Sequence, residues 1–329
     1  MKPYKTGVVI GKFMPFHNGH RGMISQAVGK VGVLTVIVCH ADSYSILPQL
    51  RRRWIRSVFP EVAIQIMLHD KRLDSMSTAV SAEWATKTIQ QLGFVPDVVF
   101  SSEDYGPRYA ELMGSEHVMY DKGRSIFDIS GTQIREDPFR HWHMIDANVK
   151  AYYCKRIVVV GAESTGTTTL ARDLAKHYGT TWVPEYGRLY ASAQMFGEAW
   201  STGDFIRIAK MQNLMEDTLA RQGNKVLVCD TDSFATSVWH ERYMGFRSLR
   251  VQNLSIGRNV ALYVLTDVDV PFVQDGTRDG EHIRDWMTGA FAERLVETGR
   301  EFIWARGSRE ERVASVAREI DVVSEREDS

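Results

Sequence analysis

The sequence predicts two consecutive α/β domains, each a doubly wound parallel sheet with helices on both faces. Short apolar runs alternate with longer amphipathic segments along 329 residues, more than a single domain of ordinary size needs. The alternation restarts around residues 147–155. In each half, the first apolar run leads into a turn rich in Gly, His, Ser or Thr and then into a helix. We therefore expect domains at residues 1–150 and 151–329.

Continuous apolar runs are typical of strands that are buried on both faces of a parallel sheet. In the first half they are Val8–Ile10, Val31–Val38, Val62–Met67, Pro96–Phe100 and His117–Tyr120. In the second half they are Arg156–Val160, Lys225–Cys229, Val260–Leu265 and Glu301–Trp304. Among the predicted helices, 48–58 contains Arg51, Arg52, Arg53 and Arg56. The four could form an anion site, but we interpret most of them as a solvated helix face.

Composition and charge narrow the class of protein. Lys and Arg total 40 and Asp and Glu total 41, so the net charge of −1 gives no reason to expect a nucleic-acid or membrane partner. Three cysteines without C-x-x-C spacing favour a reducing compartment and argue against a structural zinc site. The sequence shows no membrane span and no signal peptide. We expect a cytoplasmic protein, and a homo-oligomer is compatible with the sequence.

A turn with two histidines follows the first predicted strand. It consists of Gly11–Lys12–Phe13–Met14–Pro15–Phe16–His17–Asn18–Gly19–His20. Imidazole nitrogens of His17 and His20 can donate to phosphate oxygens, and Lys12 adds a positive charge. Gly19 lacks a Cβ and allows phosphates to approach the backbone. The turn is therefore a candidate anion site at the carboxyl edge of a sheet.

A second candidate phosphate site follows the fifth predicted strand. Ser130 and Thr132 are good N-cap residues, and Arg135 lies about one turn into the predicted helix. The two segments, H-x-G-H and I-S-x-T-x-x-R, resemble the paired signatures of the nucleotidyltransferase superfamily. The resemblance implies a Rossmann-like domain that binds ATP through Gly11, Phe13, Gly19, Ser130 and Thr132. It implies catalysis by Lys12, His17, His20 and Arg135, without a covalent intermediate.

The second half begins with a P-loop arrangement of strand, Gly-bounded loop and helix. The loop and first helical turn contain Gly161, Ser164, Thr165, Gly166, Thr167, Thr168 and Thr169, which we expect to bind ATP. Thr168 occupies the position of the Mg²⁺-ligating hydroxyl in G-x-x-x-x-G-K-[ST]. Thr167 replaces the Lys, so the cation that stabilises phosphoryl transfer is missing. Either Arg278 or Arg284 replaces that cation, or the kinase activity is weak or lost.

Further polar residues follow predicted strands of the second half. Asp230 and Asp232 end the apolar run Lys225–Cys229, where a P-loop kinase places its Mg²⁺-organising acid or its base. Asp230 is the predicted metal ligand with Thr168, but the sequence leaves open which Asp is the base. Arg278 lies in a Gly-rich, charged segment that we interpret as a lid.

Several segments together resemble the NadR family, whose members join a nicotinamide mononucleotide (NMN) adenylyltransferase to a ribosylnicotinamide kinase. They are Ser101–Gly106, Arg108–Ala110, Ile129–Arg140 and Trp182–Arg188. The resemblance implies the substrates ATP, NMN and nicotinamide riboside, the product NAD, and Mg²⁺. It implies riboside contacts from Trp182, Glu185, Tyr186 and Arg188, a lid Arg at Arg278, and stacking of nicotinamide on Trp84. The first strand begins by about residue 6, so we expect no helix-turn-helix domain and no DNA binding.

Three functions remain open at this point. The first is a bifunctional enzyme of NAD salvage. The second is an adenylyltransferase whose second domain is a weak or inactive nucleotide sensor, because Thr167 replaces the P-loop Lys. The third is a non-catalytic protein that reports NAD or ATP levels, which the intact pair His17 and His20 disfavours.

Overall fold

The structure, a computed structural model, describes residues 2–75, 78–193, 199–274 and 281–326 of the chain. The chain forms two compact units, unit 1 (Met1–Val149) and unit 2 (Lys150–Ser329). Each contains one parallel five-stranded sheet with helices between successive strands, so the predicted pair of parallel-sheet α/β domains is confirmed. No helix in the described ranges is long and apolar enough to cross a membrane.

The sheet of unit 1 has the strand order β3-β2-β1-β4-β5. Its strands are β1 (Tyr4–Gly11), β2 (Val31–His40), β3 (Ala63–Leu68), β4 (Val98–Ser101) and β5 (Glu116–Met119). Its helices are α1 (Asn18–Lys30), α2 (Pro48–Val58), α3 (Thr78–Leu92), α4 (Gly106–Met113) and α5 (Gly131–Glu136), and α6 (Ala147–Tyr153) contains the unit boundary. Single 3₁₀ turns occur at Lys71–Asp74 and Trp142–Met144.

The central strand β1 determines where unit 1 can hold a ligand. Val9 pairs with Val36 of β2 on one side and with Phe100 of β4 on the other, and all three side chains are fully buried. The chain moves outward to β2 and β3, then returns to β4 on the other side of β1. In open α/β sheets this reversal leaves a crevice beyond the carboxyl ends of the two central strands. The turn that begins at Gly11 lies at that crevice.

The sheet of unit 2 has the strand order β10-β9-β6-β8-β7. Its strands are β6 (Lys155–Val160), β7 (Trp182–Val183), β8 (Val226–Asp230), β9 (Val260–Thr266) and β10 (Phe302–Ala305). Its helices are α7 (Thr167–His177), α8 (Tyr186–Ala193), α9 (Thr202–Leu219), α10 (Ser233–Met244), α11 (Leu249–Gln252), α12 (Arg284–Glu297) and α13 (Arg309–Arg326). Single 3₁₀ turns occur at Ala220–Gln222, Asn253–Ser255 and Glu281–Ile283. The two-residue β7 was not predicted, because two residues carry no periodicity.

The core of unit 2 lies between the central strands and helices α7 and α13. Ile157 and Val159 of β6 pack with Leu170 and Leu174 of α7 and with Val316 of α13. These side chains are at most 3% exposed. Helix α7 begins directly after the P-loop. This packing therefore fixes the orientation of its amino end toward a ligand in the loop.

Candidate active sites

Two adjoining cavities lie at the carboxyl edge of the unit 1 sheet. The Trp84 cavity is lined by residues that include Gly11, His69, Asp74 and Trp84. The Arg135 cavity is lined by residues that include His17, Gly19, Arg124, Ser130, Thr132 and Arg135. Both are bordered by Lys12, Phe13, His20, Ser102 and Glu103. The two segments that resemble the nucleotidyltransferase signatures therefore line one cavity, and Lys12 and His20 lie where it meets the other.

Both histidines are neutral, and His17 is buried while His20 is half-buried. His17 is the N-cap of α1, and its Nδ1 accepts the backbone N–H of Gly19 at 3.2 Å. The rings of His17 and His20 lie 3.7 Å apart between centroids. Burial, with a smaller contribution from the Arg124 charge, lowers the pKa of His17 to about 3. Burial also holds the pKa of His20 far below its usual range. The pair therefore offers neutral imidazole hydrogen bonds to phosphate oxygens rather than positive charge.

One His20 atom is unsatisfied. Its Nδ1 is buried and has no hydrogen-bond partner among the described residues. A buried polar atom without a partner costs free energy, which a ligand that bonds to it recovers. The Lys12 ammonium lies nearby and pairs with the Asp74 carboxylate at 3.1 Å. The border between the two cavities therefore has one lysine and one unsatisfied imidazole.

The two signature segments are joined through the carbonyl of Met14. A Cβ at Gly131 would lie 2.5 Å from this oxygen, so the close approach requires glycine. Arg135 donates to the same oxygen and, at 3.1 Å, to the hydroxyl of Thr132. Ser130 caps α5 by accepting the N–H of Gln133 at 3.2 Å. This explains how segments separated by about 110 residues come to line one cavity.

Arg51 anchors the histidine turn and is the exception on α2, where most of the arginines form the expected exposed face. Its side chain is fully buried, whereas Arg52, Arg53 and Arg56 are exposed. The Arg51 guanidinium donates to the carbonyl oxygens of Lys12, Cys39 (2.8 Å) and Ile46 (3.0 Å). It therefore holds the ends of β1 and β2 and the following loop in one arrangement.

Arg124 lines the Arg135 cavity and was missed by the sequence analysis. It lies in a turn whose residues Asp121 (φ +41°) and Arg124 (φ +51°) are both left-handed. The Asp121 carboxylate accepts the N–H groups of Ser125, Ile126 and Phe127 at 2.7 to 3.1 Å and so holds this turn. An Asp followed by Lys-Gly is a turn signal, but nothing in the sequence directs the arginine toward the histidines.

Trp84, the candidate for stacking on nicotinamide, lines the cavity next to the histidine turn. Its indole Nε1 donates to the carbonyl of Leu73 at 2.8 Å, which fixes the plane of the ring. The His69 ring contacts it edge-on with 4.8 Å between centroids. The Trp84 cavity thus has one immobilised aromatic ring that a flat ligand ring can contact.

In unit 2 the P-loop adopts a conformation that exposes backbone N–H groups. Ser164 (φ +59°) and Gly166 (φ +86°) are left-handed, and a Cβ at Gly161 would lie 2.0 Å from the Thr266 hydroxyl. The Thr165 side chain is fully buried and bonds to Thr266 at 2.7 Å. Thr165 therefore stabilises the loop with its side chain and has only its backbone left for a ligand.

The hydroxyls that open α7 converge on one carboxylate. Thr168 Oγ1 donates to Asp230 Oδ2 at 2.5 Å, and the Thr167 hydroxyl also hydrogen-bonds Asp230. The resulting cavity, about 670 Å³, extends from the P-loop to a group of aromatic rings. Its lining includes Glu163, Ser164, Thr167, Glu185, Arg188, Trp200, Phe205, Asp230, Trp239 and Tyr243, and we call it the Glu185 cavity. Thr169 lines a separate cavity with Gly166, Arg309 and Arg312.

Comparison with known proteins decides the family. Residues 156–312 match a family model described as an AAA domain. The chain is 32% identical to the trifunctional NAD biosynthesis/regulator protein NadR of Escherichia coli (strain K12), over 90% of this chain and 78% of that protein. The protein of the same description from Salmonella typhimurium is also 32% identical, over 90% of this chain and 78% of its own length. The chain belongs to the NadR family.

Two crystal structures of NadR proteins have the same fold. One, in complex with NR, has a TM-score of 0.74 at 19% identity and covers 94% of this chain and 92% of its own. The other, in complex with NAD and AMP-PNP, has a TM-score of 0.75 at 20% identity and covers 97% and 96%. The predicted resemblance to the NadR family is therefore confirmed for the chain as a whole.

Asp232 does not line the Glu185 cavity in this NadR-family chain, contrary to its expected part in catalysis. It is the N-cap of α10, where it accepts the N–H of Ala235 at 2.8 Å and the Tyr263 hydroxyl at 2.6 Å. The residue between the two aspartates, Thr231, is left-handed (φ +70°), so the chain turns sharply between Asp230 and Asp232. Of the two aspartates, only Asp230 lies in the cavity.

The aromatic rings that line the Glu185 cavity in this NadR-family chain differ from the predicted ones. Trp182 packs on the sheet core, and the Arg172 guanidinium lies 4.6 Å from its ring centroid. Neither Trp182 nor Tyr186 is among the residues that line the Glu185 cavity, whereas Glu185 and Arg188 are. The rings that do line it come from α9, α10 and the segment before α9, and Trp200 and Tyr243 lie 5.3 Å apart between centroids. The sequence analysis missed them because they lie more than ten residues from the segment that resembled the family.

The arginines proposed to replace the P-loop Lys are differently placed. Arg284 is buried and donates to the carbonyl of Val270 at 2.7 Å, with longer contacts to Val268 and Ser164 carbonyls. Arg278 lies outside the described residues. Within the part of the chain that the structure describes, Arg188 is the cation that lines the Glu185 cavity, and it lies 3.7 Å from Glu185.

The donor set of the Glu185 cavity fits the predicted Mg²⁺. Magnesium prefers oxygen ligands and binds through one or two protein oxygens together with substrate phosphates. Thr168 and Asp230 present a hydroxyl and a carboxylate that lie within hydrogen-bond distance of each other beside the P-loop. Asp230 and Thr168 would hold the ion, with ATP oxygens as further ligands.

Proposed function

We propose that unit 1 is an NMN adenylyltransferase and that unit 2 phosphorylates nicotinamide riboside, both with ATP. The adenylyltransferase proposal for unit 1 rests on the border between its two cavities. The neutral pair His17 and His20 and the Ser130–Arg135 segment line one cavity, and Trp84 lines the other. Lys12 and His20 border both, so a phosphate held between the cavities meets a lysine and an imidazole.

In the proposed first reaction, an oxygen of the NMN phosphate attacks the α-phosphorus of ATP. A new phosphorus–oxygen bond gives NAD, and the bond to the β-phosphate breaks with its electrons leaving on pyrophosphate. His17 and His20 donate hydrogen bonds to the oxygens on which charge develops, and Lys12 neutralises part of that charge. Ser130, Thr132 and Arg135 hold the remaining phosphates. Bound Mg²⁺ would supply further neutralisation of the triphosphate charge.

The proposal for unit 2 depends on the P-loop, the oxygen pair of Thr168 and Asp230, and the aromatic rings at the other end of the cavity. The NadR protein crystallised with NR has the same fold. The second candidate function, adenylyl transfer alone with a nucleotide-sensing unit 2, is favoured by Thr167 in place of the P-loop Lys. A cavity without that lysine still holds ATP through its backbone N–H groups.

A product assay tests both halves. The purified chain receives ATP and Mg²⁺ with either NMN or nicotinamide riboside, and chromatography resolves the products. We expect NAD from both. NAD from NMN only would favour the sensor alternative for unit 2. No NAD from either substrate would contradict the proposed substrates of both units.

A further inference from the structure

We propose that Glu185 is the proton acceptor in the reaction of unit 2, where it takes the proton of the hydroxyl that attacks ATP. This inference rests on the riboside kinase function proposed above. The resemblance to the NadR family implied only that Glu185 contacts the riboside. The structure changes this because it removes Asp232 from the cavity and leaves the base unassigned.

The sheet topology places Glu185 on the acceptor side of the cavity. The P-loop follows β6, Asp230 ends β8, and Glu185 comes directly after β7, in the spatial order β6-β8-β7. Val183 pairs with Cys229, so Glu185 and Asp230 emerge next to each other at one edge of the sheet. A triphosphate on the P-loop therefore has Asp230 beside it and Glu185 beyond. The riboside must approach from that far side, where the aromatic rings lie.

The other carboxylates of the cavity have different partners. Asp230 accepts hydrogen bonds from the hydroxyls of Thr167 and Thr168, which ties it to the P-loop. Glu163 is itself a residue of the P-loop, between Gly161 and Gly166. Glu185 has Arg188 as its ion-pair partner, with 3.7 Å between Glu185 Oε2 and Arg188 Nε, and a carboxylate can accept several hydrogen bonds at its two oxygens. Its oxygens therefore remain suited to accept a hydrogen bond from a substrate hydroxyl.

The electrostatic surroundings agree with this role. Burial raises the pKa of Glu185 to about 7, and the negative charges of Asp230 and Glu163 add to the effect. Arg188 acts in the opposite direction. A general base works best when its pKa lies near the working pH, because it is then both deprotonated and basic enough.

The proposed step balances as follows. The primary hydroxyl oxygen of the riboside forms a bond to the γ-phosphorus of ATP while its proton passes to a Glu185 oxygen. The bond between the γ-phosphorus and the β,γ-bridging oxygen breaks, and its electrons leave on ADP. The proton on Glu185 returns to solvent after product release.

The experiment compares full-length Glu185→Gln, Glu185→Asp and the matched control Asp232→Asn, each alone and combined with Thr167→Lys. We expect Glu185→Gln to lower kcat for riboside phosphorylation at least about 100-fold with KM changed less than about threefold. Glu185→Asp should recover part of that loss, and Asp232→Asn should keep kcat within about threefold of its parent. In the parent, kcat/KM should fall about tenfold per pH unit below pH 7, and this dependence should be absent in Glu185→Gln.

Two results would overturn the inference without touching the kinase function. The first is a Glu185→Gln chain whose kcat stays within about threefold of its parent. The second is a Glu185→Gln chain whose kcat/KM still falls about tenfold per pH unit below pH 7, as in the parent. If the parent and its Thr167→Lys form both leave riboside unchanged while NMN is converted to NAD, the kinase function itself is wrong and the role of Glu185 falls with it. NAD formation from NMN in each preparation shows that unit 1 is folded, and a KM for riboside within about threefold of the parent shows that unit 2 is folded.

Discussion

Replacing Thr167 by Lys should raise the rate of riboside phosphorylation by unit 2. Three carboxylates line the Glu185 cavity, those of Glu163, Glu185 and Asp230, and Arg188 is the one cation that lines it among the described residues. ATP brings further negative charge into this space. A lysine at position 167 would be placed at the start of α7, next to the bound phosphates, where a P-loop protein normally has its cation.

The size of the effect follows from two opposing contributions. An ammonium about 4.5 Å from a transferring phosphate oxygen gains about 3 to 4 kcal/mol at an effective dielectric constant of about 20. The lost hydrogen bond from the Thr167 hydroxyl to Asp230 removes about 1 kcal/mol. The remaining gain of about 2 kcal/mol corresponds to a rise in kcat of about 30-fold.

The assay follows ADP and NMN formation from riboside at saturating ATP and Mg²⁺. Thr167→Met is the matched control, because it has a long side chain without the charge, and we expect it to stay at or below the parent rate. Adenylylation of NMN by the same preparations shows that unit 1 is folded. A Thr167→Lys chain that is no faster than the parent would refute the argument, since it would mean that another group already supplies the missing charge.

Three further predictions concern unit 1. Arg124→Ala should raise the KM for ATP, and the KM for pyrophosphate in the reverse reaction, by about 10-fold or more, while the KM for NMN changes little. Equal shifts in the KM values for ATP, pyrophosphate and NMN would contradict this prediction, and so would the same effect in the exposed control Arg108→Ala. Arg51→Met should lower the free energy of unfolding of unit 1 by about 2 to 4 kcal/mol in urea titrations, because the substitution leaves buried carbonyl oxygens without a donor. A loss below about 0.5 kcal/mol would show that water replaces the guanidinium at these oxygens. The pKa of His17 is near 6.5 in the unfolded chain and about 3 in the folded one, so the unfolded chain binds the extra proton and stability falls as the pH drops from about 6.5 toward 3. His17→Gln should therefore lose about 2 kcal/mol less than the parent between pH 7 and pH 5, and identical losses would refute the assignment.

Much of the fold could be predicted because its signals are local. A continuous apolar run such as Val31–Val38 is buried on both faces in a parallel sheet, and the observed β2 (Val31–His40) contains it whole. The same holds for the predicted cap residue Ser130, whose side chain closes the amino end of α5 within three residues of itself. Such features depend on neighbours in the sequence and are therefore visible in it.

The contents of the sites were harder to predict, because they depend on where side chains point after a strand ends. Asp230 and Asp232 are two residues apart, but the left-handed Thr231 between them directs one into the cavity and the other under Tyr263. A positive φ is rare for threonine, so the sequence gives no warning of it. The arginines behave alike: Arg51 is buried and its neighbour Arg52 is exposed, because successive helix residues face different directions.

The sequence by itself determined the class of fold, the family, and the segments that are candidates for phosphate binding, because strand burial, helix caps and Gly-bounded turns are encoded by adjacent residues. Only the tertiary structure decided which side chains share a cavity. It brought Arg124 to the histidines and Glu185 to Asp230, and it exchanged Trp182 for rings from α9, α10 and the segment before α9. The physical reason is that these groups meet through the strand order of the sheets and the direction of single turns, which are fixed by packing over the whole unit.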